Sequence, residues 1–171
     1  MKKIIVIVLL SAFAIPSFAQ LKVFVKPAGI PGESADPTHP SWIDALASTG
    51  GECTVVNFTS GAGQPAVKDF AFTFYYDRST NPLRSALFTG VPISTITVDY
   101  IEYPGALIKY KILMEDVYVT AIDNGWSSGD SRAIVNISFK PSRFRYTYYA
   151  TAGNLGTGVV FGWNVVTGAP W

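Results

Sequence analysis

Phe70-Ala71-Phe72-Thr73-Phe74-Tyr75-Tyr76 reads in steps of two. Phe70, Phe72, Phe74 and Tyr76 fall on one side of an extended chain, and Ala71, Thr73 and Tyr75 on the other, because successive side chains of a strand point to opposite faces. A helix would space its apolar residues by three and four instead. The stretch therefore predicts a strand with an aromatic face toward a core, ending at Asp77. The same alternation returns at Ala133, Val135, Ile137 and Phe139. It returns again at Phe144, Tyr146 and Tyr148, with Arg145 and Thr147 between them.

Outward from these strands, residues 21–26, 41–47, 53–59, 93–102, 107–122 and 159–166 also read as extended. The stretch 107–122 is too long for one simple strand and is expected to bend near Glu115-Asp116. Residues 29–40, 60–65 and 151–158 carry closely spaced Gly, Pro, Ser or Asp and read as loops. Gly50-Gly51, Pro104-Gly105 and Asp123-Asn124-Gly125 read as turns. One short helix is expected after Asp77. Asn81 is its candidate cap, Pro82 fits the first helical position, and Leu83, Ala86 and Leu87 share a face before Gly90 closes the end. Strands of this number and spacing make an all-β domain with one short helix, a sandwich or a barrel.

Composition agrees. Aromatic residues make up 14% of the chain and charged residues only 15%, with frequent Gly and Pro and no repeat of fixed period. Residues 1–19 read as a secretory signal peptide. Lys2 and Lys3 precede a run of 12 mostly apolar residues, and Ser17-Phe18-Ala19 places small residues before a cut at Gln20. A spanning helix needs about 20 apolar residues, so no stable membrane anchor is expected after cleavage. Residues 20–171 form one domain, secreted to the periplasm or beyond. Without Lys2 and Lys3 it holds 11 basic and 12 acidic residues. That near balance gives no electrostatic case for nucleic acid. Cys53 is the only cysteine, so an internal disulfide is excluded, and a buried inert thiol is expected.

Candidate chemistry is sparse, and no catalytic, metal or cofactor residue is assigned. The sole histidine, His39, lies in Asp36-Pro37-Thr38-His39-Pro40 without a Gly-x-Ser-x-Gly elbow, and reads as a structural loop residue. One His and one Cys cannot furnish a zinc site. Glu115 and Asp116 are neighbours on a strand and point apart, which argues against a paired-carboxylate glycosidase. The outward rings of Tyr75-Tyr76 and Tyr148-Tyr149 suggest a second covered face, a subunit contact or an aromatic platform for a partner.

Several segments, in order, resemble a known family. They are Val23-Phe24-Val25-Lys26; Gly32-Glu33-Ser34, Asp36 and His39; Ile43-Asp44; Val67-Lys68-Asp69-Phe70; Tyr76-Asp77-Arg78-Ser79-Thr80; Leu113, Glu115, Val117 and Val119; and Phe161-Gly162-Trp163-Asn164. The set resembles the haemolysin-coregulated protein (Hcp) family, the tube proteins of type VI secretion. The resemblance implies a β-barrel of two packed sheets with one helix on its flank. It further implies hexameric rings with a central pore, able to stack into a tube, with spike or effector proteins as partners and no catalytic residues. It makes 29–39 an extended loop that reaches a neighbouring subunit. Gly32, Glu33, Ser34, Asp36, His39, Tyr75, Tyr148 and Tyr149 are the resulting candidates for a subunit interface. The family's tube proteins normally carry no Sec signal, so residues 1–19 set this chain apart. The rival expectation is a secreted binding module or adhesin that uses its aromatic face on a glycan or host protein.

Overall fold

The computed structural model describes residues 20–57, 61–103, 107–126, 129, 131–150 and 158–171, with the backbone alone at 53–57 and 61–64. The expected leader, the Pro104-Gly105 turn, the Cys53 side chain and nearly all of the Gly-rich stretch 151–158 lie outside these residues. The described chain runs β1 (Gln20–Pro27), β2 (Ile43–Thr49), β3 (Glu52–Asn57), β4 (Gly61–Val67), β5 (Phe70–Tyr75), α1 (Thr80–Thr89), β6 (Ile93–Tyr103), β7 (Leu107–Gly125), β8 (Ile134–Tyr148), β9 (Val159–Asn164) and β10 (Ala169–Pro170).

Phe70, Phe72 and Phe74 are buried, as the alternation predicts, and they face a core that includes Val25, Ile96, Val98, Met114, Val117, Val135 and Phe144. Around that core the strands follow the order β8-β5-β2-β1-β6-β7, and β7 pairs back with β8. The result is a closed barrel of six antiparallel strands, which removes most free edges. Two long strands make the closure. β7 pairs with β6 along 107–117 and with β8 along 110–125. β8 pairs with β5 along 134–139, then with β9 along 143–148. Each thus passes from one wall of the barrel to the other, which is how two packed sheets become one closed surface.

The crossing point has a visible cause. Asp116 takes a left-handed φ of 49°. Buried positions on β7 are 112 and 114 before it, and 117 and 119 after it. On β8 they switch from 135, 137, 139 and 141 to 144 at the same level. The expected bend near Glu115-Asp116 is therefore a change of face within an unbroken strand. A further bulge lies between Val119 and Ala121.

Some local expectations are corrected. Of residues 60–65, expected as a loop, 61–65 belong to β4, which pairs with β3 in the register Thr54↔Pro65 and Asn57↔Gly61. Its Gly and Pro hid the strand, yet Pro65 is tolerated because this two-stranded ribbon has outer edges that need no donor. The strands expected over 133–139 and 144–150 are one strand, β8 (Ile134–Tyr148), with Pro141 opposite Val117. Asp123-Asn124-Gly125 continues β7. The helix begins earlier than Asn81. Ser79 is its N-cap residue, and Asp77 Oδ1 accepts both the Ser79 N–H (2.9 Å) and the Ser79 hydroxyl (2.5 Å). Asn81 Oδ1 instead accepts from the Tyr76 hydroxyl at 2.8 Å. The C-terminal expectation holds: Gly90 is left-handed at φ 66°, and its N–H donates to Ala86 O. Leu83 is fully buried and fastens α1 to the barrel beside β7.

Candidate assembly surface

Residues 28–42 form a strap that folds back on the barrel. Ala28 N donates to Thr95 O, Gly32 N to Ser41 O, Ser34 N to Trp42 O, and Ser41 N to Ser34 O, all within 2.9–3.0 Å. Gly32 is buried, and a Cβ there would collide with the Trp42 carbonyl, so only glycine lets the two limbs meet. Arg78, at the entry to α1, clamps the strap: its Nε donates to Gly32 O at 2.7 Å, and its N–H donates to Glu33 Oε1 at 3.1 Å.

His39 pins the far limb. It is 5% exposed, stacked on Phe24 at 4.5 Å and met edge-on by Trp42 at 4.7 Å. Its Nε2 lies 3.1 Å from Asp99 Oδ2 on β6, and its Nδ1 lies 2.8 Å from Thr38 Oγ1. Thr38 Oγ1 donates to Asp36 Oδ1 at 2.7 Å, and the Tyr103 hydroxyl donates to Asp36 Oδ2 at 2.5 Å. The hydrogen bonds from Thr38 and Tyr103 hold the Asp36 carboxyl far below the usual carboxylate range. A hydroxyl, an imidazole and a carboxylate in line resemble a nucleophile triad. The hydroxyl proton, however, is directed at Asp36 rather than at the ring.

At one end of the barrel, tyrosines replace aliphatic residues. Tyr100 and Tyr110 lie 5.1 Å apart, Tyr110 stacks on Tyr146 at 5.6 Å, and Tyr146 stacks on Phe161 at 6.4 Å. The Tyr146 hydroxyl donates to Glu52 Oε1, at the foot of the β3–β4 ribbon, at 2.7 Å. Burial pushes the Tyr100, Tyr110 and Tyr146 hydroxyls up, and the bond to Glu52 adds to the rise at Tyr146.

This stack surfaces as an apolar patch. Val159 and Phe161 of β9, opposite Tyr148 and Tyr146, are each more than half exposed, and Val160, also exposed, points to the other face of the strand. β10 pairs with β9 only at Trp163 and Asn164, so among the described residues the outer edge at 159–161 has no partner strand. Below it, Trp171 lies over Arg143 (5.0 Å) and Arg145 (4.3 Å).

The interface candidates thus divide between two places. Gly32, Ser34 and His39 are buried inside the chain's own fold, Asp36 is mostly covered, and Glu33 faces solvent. Glu33 and Ser34 share a cleft of about 250 Å³ with Tyr75, whose ring lies under the Arg132 guanidinium at 4.2 Å. Tyr148 is exposed beside β9, while Tyr149 is buried. Sequence reasoning missed Val159, Val160 and Phe161, because three apolar residues in a row read as an interior strand. It also missed Trp126, which is 84% exposed. Among the described residues no group of His, Cys, Asp and Glu is arranged to hold a metal.

Residues 24–148 match the family described as type VI secretion system effector, Hcp. Protein hcp1 of Pseudomonas aeruginosa is 29% identical over 152 residues, covering 84% of this chain and 94% of that protein. In fold, the chain is similar to Hcp1 from Salmonella typhimurium, with a TM-score of 0.76 and 20% identity over 90% of this chain and 100% of that one. It is also similar to a type VI secretion system effector from Yersinia pestis, with a TM-score of 0.71 and 24% identity over 84% of this chain and 99% of that one. The matched span runs from the middle of β1 to the last residue of β8 and so takes in all six barrel strands and the helix; this chain belongs to the Hcp family of type VI secretion.

Proposed function

We propose that the chain is a non-enzymatic building block of Hcp-type rings, hexameric and able to stack into tubes, with spike or effector proteins as further partners. The carrying observation is the patch of Tyr148, Val159 and Phe161 beside a strand edge that has no partner among the described residues. Such a patch next to a free edge is a liability for a monomer and an asset for an oligomer. The β3–β4 ribbon supports the same reading, because it pairs only with itself among the described strands, and an isolated two-stranded ribbon is marginal in water. Glu33, Tyr75 and Tyr148 are the sequence candidates still open to a neighbour, and Gly32, Ser34, Asp36, His39 and Tyr149 shape the surface from beneath.

We assign residues 1–19 to export through the Sec route, with ring assembly following cleavage before Gln20. Light scattering and negative-stain microscopy of residues 20–171 test the ring. A ring-sized particle is expected, shifted toward monomer by Phe161→Glu. A monodisperse monomer at high concentration overturns the proposal. Intact mass of the exported protein tests the leader, and an N-terminus at Met1 would refute it.

Trp126 favours a second reading, a secreted binding module. Its exposed ring borders a cavity of about 290 Å³ shared with Tyr76, Ser131, Arg132 and Ala133. Aromatic faces beside a guanidinium suit a glycan or a partner protein. A monomer that binds glycans through Trp126, and loses them on Trp126→Ala, would establish this reading over the first.

A further inference from the structure

Gln20 opens β1, and the cut assigned above makes it the first residue of the mature chain. It is exposed, and the alternation that turns Val23 and Val25 to the core puts it with Lys22 on the outer face. On one side its backbone meets Tyr103 of β6. On the other side it has no neighbouring strand among the described residues, because β2 pairs with β1 only at Val23, Phe24 and Val25. A cleft of about 580 Å³ opens there, and Gln20, Lys22, Asp36 and Asp44 are among its lining residues. The charges around this end leave a new α-amine free. Glu102, opposite Leu21, meets Lys109 at 4.0 Å. Asp36 accepts from Thr38 and Tyr103. Asp44 lies opposite Phe24, four residues along β1, about 13 Å from Gln20 at the rise of a strand. Lys22, on the same face two residues on, is a like charge that favours the neutral amine. An α-amine titrates at about pH 8, so a nucleophilic fraction is present at neutral pH.

We propose that Gln20 is a modification site: once exposed by the cut, its α-amine closes on its own side chain, and the mature chain begins with a pyroglutamyl lactam. This rests on the leader reading above. The amine nitrogen attacks Cδ of the same residue. The N–Cδ bond forms, the Cδ–Nε2 bond breaks, and the side-chain amide leaves as ammonia with a proton taken from the amine. Nothing is oxidised or reduced, and no co-reactant is needed. The lactam keeps one N–H, so the pairing of Gln20 with Tyr103 retains its donor. Closure removes the terminal charge and the free amine on which aminopeptidases act. β1 stands between β2 and β6 in the barrel wall, so a blocked end guards a strand whose trimming would unpick that wall.

The test is the intact mass of the protein exported from the full-length chain, read before any digestion, with N-terminal sequencing beside it. The expected product spans 20–171 less one ammonia, about 17 Da. It yields no sequence until a pyroglutamyl peptidase removes the first residue, after which reading starts at Leu21. Gln20→Ala should show the full mass and a readable first residue, and an added aminopeptidase should trim it while leaving the unaltered chain whole. A chain that begins at Met1 overturns the leader reading and the lactam with it. A chain of full mass, with Gln20 still readable after days at neutral pH, overturns the lactam alone. So does a loss of ammonia that persists in Gln20→Ala, because the loss then lies elsewhere in the chain.

Discussion

Gly162 lies against the Trp171 carbonyl, with which a Cβ would collide. Trp171 N donates to Gly162 O at 3.0 Å, and its ring covers Arg143 and Arg145. Gly162→Ala should therefore lift the last three residues off β9 at a cost of about 1–3 kcal/mol, read as a lower urea midpoint and increased exposure of Trp171 in fluorescence quenching. The tyrosines at the barrel end make a second prediction. Tyr100, Tyr110 and Tyr146 have hydroxyls raised by burial, whereas in the unfolded chain a tyrosine ionises near pH 10. The folded form thus keeps protons that the unfolded form gives up, so stability is intact below about pH 10 and is lost as pH rises beyond it. An ultraviolet titration should show these three tyrosines ionising only as the barrel unfolds. Full ionisation in one step, with the fold intact, would contradict the buried stack. At this scale the role of His39 as a structural loop residue was legible. Its partner Asp99 was not, since nothing in the local pattern ties residues 60 positions apart.

Helix α1 depends on a residue outside it. Asp77 Oδ1 ties down the N–H and hydroxyl of Ser79, and Thr80 Oγ1 accepts from Asp77 N at 3.3 Å. Asp77→Ala should cost about 1 kcal/mol through loss of this entry turn, whereas Asn81→Ala should cost less, because Asn81 only meets Tyr76, Arg84 and solvent. Thermal melts of the two variants decide the order. The sequence suggested Asn81 because Asn-Pro is a strong start signal by itself; the competing Asp-x-Ser turn four residues earlier is equally local and wins by supplying two bonds. β5 was readable because one face is wholly aromatic and meets the core. β4 was not, since Gly61, Gly63 and Pro65 lack any β pattern and the strand exists only through its pairing with β3. β8 looked like two strands because Pro141 and Ser142 interrupt the alternation, and the reason they do not break it lies opposite, in the left-handed Asp116 of β7.

The barrel joins residues far apart in the chain. β1 pairs with β6 from Gln20↔Tyr103 to Pro27↔Ile96, and β5 pairs with β8 from Phe70↔Phe139 to Tyr75↔Ile134. Non-local pairing of this kind makes folding slow, on the order of milliseconds to seconds. Stopped-flow refolding of residues 20–171 should fall in that range, and a microsecond phase that restores all native signal would contradict it. The all-β class, and the single helix among the described residues, were legible from spacing. The closure was not, because it depends on β7 and β8 each serving two neighbours, which no local pattern records. That shared closure has a consequence during synthesis. β1 has only β2 to pair with until residue 103 is made, and the ring cannot shut until β8 emerges. At about 5–20 residues per second, a nascent chain spends seconds between those two points with one edge of β5 still waiting for β8. During that interval the ribosome presents a chain that has not yet locked, since the seam between β5 and β8 is still to be sewn.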